Sequence, residues 1–75
     1  MSDDTLSDAD RAVLETMRDG RVNPLLVRNE TGLDKGTVNT HLVRLSRRGY
    51  VRQITRGLYE ITPAGRELLN DLNDE

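Results

Sequence analysis

The chain has 75 residues, 35% of them apolar and 32% charged, with a formal net charge of −2, which describes one domain near the lower size limit for folding alone. It has no cysteine and one histidine, His41, which excludes a disulfide framework, thiol catalysis and a zinc ribbon and leaves any metal site to carboxylates. No apolar run approaches the ~20 residues that span a bilayer, and the acidic start Met1-Ser2-Asp3-Asp4 is unlike a signal peptide, so a cytoplasmic protein with no membrane contact is expected.

Residues 1–5 read as a flexible acidic arm, 6–72 as the folded domain and 73–75 as a frayed end. Ser7 caps a first helix, with Asp8 and Asp10 in its first turn and Leu6 as a hydrophobic staple. Ala9, Val13, Leu14 and Met17 form its apolar stripe, and Gly20 closes it near Arg18. Arg21-Val22 is a short extended bridge. Asn23-Pro24 is a cap followed by proline at the first helical position, and Leu25 and Leu26, with Val27, are expected to face inward. Gly32 ends this two-turn helix. Asp34 caps a third helix over residues 35–48, which exits at Gly49. The link from Glu30 to Asp34, with glycine inside it, is the spacing of a helix-turn-helix. Two β-rich runs, 50–54 and 58–61, are joined by Thr55-Arg56-Gly57, a three-residue hairpin loop. Thr62-Pro63 starts the last helix, over 64–72, with Leu68, Leu69 and Leu72 on one side.

The charge is segregated. Residues 1–19 carry net −4, residues 20–62 net +5 and residues 63–75 net −3. From Lys35 to Arg56 there are six bases and no acid. A basic middle with acidic ends is an oriented distribution that the net charge conceals. Ten of the eleven bases are Arg and eight of the thirteen acids are Asp, a balance that suits a halophilic cytoplasm and that GC-rich coding also produces.

At LDKGTVNTHLVRLSRRGYV (Leu33–Val51) and RGLYEITPAGREL (Arg56–Leu68) the chain resembles the winged helix-turn-helix transcription regulators. The similarity is greatest to small ArsR- and MarR-like archaeal regulators, including repressor-like proteins of halophage phi-H. The resemblance covers residues 6–72. It implies a mainly α fold with a small β-hairpin: helix, short strand, helix, recognition helix, two-stranded wing, C-terminal helix. It also places Val38, Leu42 and Leu45 on the core side of the recognition helix. Metal-sensing members need Cys or His clusters, which this chain lacks. Ligand-sensing members have long extra helices, for which the twelve residues after Pro63 leave no room. No cofactor and no small-molecule ligand are therefore expected.

At 100° per residue, Val38, Leu42 and Leu45 share one face of the third helix, with His41 beside them. Gly36, Thr40, Val43, Arg44 and Arg47 lie opposite, flanked by Thr37 and Asn39, with Lys35 at the start. Small residues let a helix sit deep in a major groove, Asn pairs with adenine and Arg with guanine. An ordinary exposed helix face is also polar, but it usually pairs Arg with Glu, and here Glu is missing. The candidate DNA contacts are Lys35, Thr37, Asn39, Thr40, Arg44 and Arg47, with Arg56 at the wing tip. Arg47 and Arg48 also sit where cations favour the helix dipole, and Arg52, Gln53 and Arg28 are lesser candidates.

The reading is a sequence-specific double-stranded DNA-binding repressor, with the third helix in the major groove and residues 50–61 as wing. The alternative is a winged-helix module that binds protein or RNA without operator specificity. An enzyme is not expected: one His, no Cys and no phosphate loop leave nothing to build a catalytic site from. A core this small is not expected to bury Leu68, Leu69 and Leu72 together with Leu6, Val13 and Met17. The first and last helices are therefore expected to form a homodimer interface remote from DNA.

Overall fold

The computed structural model describes residues 6–73, in the order α1 (Asp8–Thr16), α2 (Pro24–Thr31), α3 (Lys35–Arg47), β1 (Val51–Thr55), β2 (Leu58–Ile61) and α4 (Pro63–Asn73). The acidic arm 1–5 and residues 74–75 lie outside the described residues. The mainly α winged helix-turn-helix architecture expected from the sequence is the one observed.

Ser7 begins α1 with a complete capping box. Its Oγ accepts the Asp10 N–H at 3.1 Å, and Asp10 Oδ2 accepts the Ser7 N–H at 3.3 Å, so two orphan donors of the first turn are satisfied reciprocally. Val13, Leu14 and Met17 are fully buried. The helix ends at Thr16, earlier than the expected exit at Arg18, and a turn carries the chain to Gly20. Val22 then exchanges both backbone hydrogen bonds with Tyr59, at 2.9 and 2.8 Å, which lays the bridge against the outer edge of β2.

Asn23 Oδ1 caps α2 by accepting the Leu26 N–H at 2.7 Å, ahead of Pro24 at the first position. The inward face differs from expectation. Val27 is fully buried, whereas Leu25 and Leu26 are 57% and 40% exposed. Three consecutive apolar residues carry no helical phase, and the packing of α2 against both α1 and α3 admits the third. The helix stops at Gly32, whose φ of +76° is left-handed and therefore suits glycine. Thr31 braces this turn: its hydroxyl donates to the Val27 carbonyl at 2.7 Å and accepts the Leu33 N–H at 3.2 Å.

The hairpin pairs Val51 with Ile61 and Arg52 with Glu60, antiparallel. Thr55 pairs with Leu58, so the loop is Arg56-Gly57 rather than three residues, and the register shifts between Gln53 and Thr55. The extra residue sits in the strand as a bulge instead of in the loop. Thr62 then locks wing to helix: its hydroxyl donates to the Gly49 carbonyl at 2.6 Å and accepts the Gly65 N–H at 3.1 Å. Gly65 is required by close approach, since a Cβ there would collide with the Tyr50 carbonyl and lie 2.7 Å from Ile61 Cγ1.

In α4 the leucine stripe is not left outside. Leu69 is 2% exposed within the core, Leu68 packs partly buried against it, and Leu72 is half-buried. The core absorbs Leu69 because α4 returns across α1 and β2, and Arg66 ties it there by donating from Nη1 to the Arg18 carbonyl at 3.1 Å. The helix runs to Asn73, one residue into the segment expected to fray. Ser46 on α3 is half-buried, and its Oγ has no partner among the described residues.

Candidate nucleic-acid interface

Asp34 starts α3 by accepting the Thr37 N–H at 2.8 Å. Val38, Leu42 and Leu45 are fully buried, on the stripe expected from the periodicity. That fixes which side of the helix faces outward. Asn39, Thr40, Val43, Arg44, Arg47 and Arg48 line one open groove along it. Lys35 is exposed at the N-terminal end, where the positive dipole end favours phosphate. Lys35, Arg47, Arg48 and Arg56 enter no ion pair among the described residues.

The proposed contacts are not equally available. Asn39 is exposed. Thr40 is exposed, but its hydroxyl donates to the Gly36 carbonyl of its own helix at 2.9 Å. Thr37 is half-buried, and both its N–H and its hydroxyl serve the Asp34 carboxylate. Those two hydrogen bonds, with Arg28 nearby, hold the Asp34 carboxyl below the usual carboxylate range.

Arg44 is anchored from behind by a residue that sequence reasoning missed. Asp10 on α1 is the one buried charged residue among those described. Its Oδ1 lies 2.5 Å from His41 Nδ1 and its Oδ2 lies 3.7 Å from Arg44 Nε. An acceptor oxygen at that distance calls for a proton on His41 Nδ1. One buried side chain thus caps α1, fixes His41 and restrains a half-exposed arginine of α3. The sequence signal was the spacing Ser7-x-x-Asp10 of a capping box, together with His41 at the margin of the buried stripe.

The wing shows a second such restraint. Arg52 donates to Glu60 Oε2 from Nε at 2.9 Å and also from Nη2, and Arg21 approaches Glu60 Oε1 at 3.7 Å. The hydrogen bond from Arg52 leads in holding the Glu60 carboxyl below its usual range. Arg52 is therefore a hairpin cross-link, while Gln53 and the tip residue Arg56 stay exposed. The acid-free stretch of the sequence acquires two acids in space, Asp10 and Glu60, and each takes one arginine of that stretch, Arg44 and Arg52.

The shape has counterparts among solved structures. BpsR of Bordetella bronchiseptica, whose DNA binding is regulated by 6-hydroxynicotinic acid, is 30% identical at a TM-score of 0.89, over 99% of this chain and 57% of that one. The transcriptional regulator BldR of Sulfolobus solfataricus is 23% identical at 0.82, over 92% of this chain and 54% of that one. IdeR of T. acidophilum is 17% identical at 0.71, over 88% of this chain and 32% of that one. The chain thus spans little more than half the length of BpsR and BldR. No family profile matches it, and no curated protein matches it by sequence. BpsR binds DNA, and BldR is a transcriptional regulator. DNA binding by BpsR answers to a small molecule, so the expected absence of a ligand does not follow from the fold alone. No described helix is long and apolar enough to cross a membrane.

Proposed function

This chain has the winged helix-turn-helix fold of transcription regulators, and on that premise we propose that it binds a specific double-stranded DNA site and represses from it. The observation that carries the reading is the outward face of α3, exposed, free of acids and lined by Asn39, Thr40, Arg44 and Arg47. A helix of this kind fits the major groove, where base edges carry a distinct donor and acceptor code. Lys35, Arg47 and Arg48 enter no ion pair among the described residues and are available for phosphate, and Arg56 at the wing tip reaches the neighbouring backbone or minor groove. Repression needs nothing beyond occupancy of an operator that overlaps a promoter.

Pairing of two copies through α1 and α4 belongs to the same proposal. It would set two α3 helices on successive major grooves, about 34–36 Å apart. Its support has narrowed to Leu68 and Leu72, because Leu69 faces its own core.

Asn39→Ala tests the reading of sequence. On a duplex selected from a random library it should cost about 1–3 kcal/mol and relax the preference at one base pair. Equal losses on selected and random duplex would reduce Asn39 to a backbone contact.

A further inference from the structure

Val43 stands in the middle of the outward face of α3, 47% exposed, with the core stripe on the far side of the helix. Single exposed apolar residues are common on protein surfaces. This one differs in its surroundings. It lines the same groove as Asn39, Thr40, Arg44, Arg47 and Arg48 and is the only aliphatic residue among them. Gly36, Thr40, Val43 and Arg47 follow one another at spacings of four, three and four residues, a single ridge along the helix. The ridge rises from no side chain at Gly36 to a long cation at Arg47. Thr40 has turned its hydroxyl proton back to the Gly36 carbonyl, so the part of it left without a hydrogen bond is its methyl, in the groove it shares with Val43.

From this we infer that Val43 is a specificity-determining residue that reads the 5-methyl group of a thymine, with the Thr40 methyl beside it. The inference rests on the DNA-binding reading above and names what one position of that site recognises. The major groove presents donors and acceptors at every base pair, but its one apolar group is the thymine methyl. An aliphatic side chain on the groove-facing ridge gains nothing from a cytosine amino group, which it would desolvate without a partner. Beside thymine it buries methyl against methyl.

The test uses the 75-residue chain and synthetic duplexes. Selection from a random library gives a preferred sequence. Each thymine of it is then replaced singly by deoxyuridine, which removes the methyl and no hydrogen-bonding group. For at least one thymine the wild type should lose about fourfold in affinity, the value of one buried methyl. At that same position Val43→Ser should bind thymine and uracil duplexes equally. The thymine-to-uracil ratio is read on one protein preparation at a time, so a partly unfolded variant does not distort it. If a preferred sequence emerges but no thymine shows a methyl effect that Val43→Ser removes, the inference is wrong and the DNA-binding reading stands. If no sequence is enriched at all, the proposed operator specificity fails and this inference falls with it.

Discussion

Asp10 concentrates more structural duty than any other single side chain described. It completes the capping box with Ser7 and engages both His41 and Arg44 while fully buried. Burying a carboxylate is costly unless all its lone pairs are used, and here they serve three partners. Asp10→Ala leaves His41 and Arg44 facing an empty, solvent-shielded site, and it should destabilise the fold by about 3 kcal/mol. A urea melt of the purified variant reads this directly, and an unchanged midpoint would show the triad to be without energetic weight. The residue was half legible in the sequence. Its capping role follows from spacing alone. Its inward turn onto α3 depends on how α1 crosses α3, which no local pattern encodes. Thr37 shows the converse: its position on the helix wheel was read correctly, but the competing demand of the Asp34 cap on its hydroxyl was not.

Among the elements, the caps and the third helix were the most legible. Ser7, Asn23 and Asp34 all cap as their sequence positions indicate, because a side-chain oxygen ahead of an apolar-periodic run has a local partner. The inward face of α2 was not legible, since Leu25, Leu26 and Val27 differ only in which of them the neighbouring helices admit. Likewise, a three-residue loop and a two-residue loop with a bulge read identically in sequence. The acid-dependent restraints belong at this scale. Asp34 at the start of α3 and Glu60 in the wing both have depressed carboxyl pKa values, through Thr37 and Arg52 respectively. A depressed folded-state pKa means that the contribution is fully present above the unfolded value and is lost as pH falls through the folded one. Stability should therefore hold from neutrality down to about pH 4 and fall below it. Asp34→Asn combined with Glu60→Gln should flatten that acid limb of the thermal-melting profile, and an acid limb of unchanged steepness would assign it to other carboxylates.

For the whole molecule, the first and last helices are net acidic, with five acids to two bases, and the basic, acid-free groove lies on α3 between them in sequence. The size argument fared less well. The small core was expected to leave three leucines of α4 exposed, yet it takes Leu69 entirely, because α4 folds back over α1 and β2 rather than standing apart. Dimerisation now depends on what Leu72 and Leu68 still present. Leu72→Glu should shift a wild-type dimer toward monomer in sedimentation at tens of micromolar while leaving the melting temperature largely unchanged. A wild type that is already monomeric there, and binds a palindromic duplex without cooperativity, would remove the dimer from the proposal.

The central claim is that the face of α3 and the wing tip together grip a DNA backbone, and its most direct test is the salt dependence of duplex binding. Lys35, Arg47, Arg48 and Arg56 are free of ion pairs among the described residues, and Arg44 is only partly restrained. Neutralising about four to six phosphates releases as many condensed counterions, so log affinity should fall against log salt with a slope between about −3.5 and −5.5. Arg47→Ala and Arg56→Ala should each flatten it by roughly 0.9. A wild-type slope near zero by fluorescence anisotropy on random duplex would contradict the account.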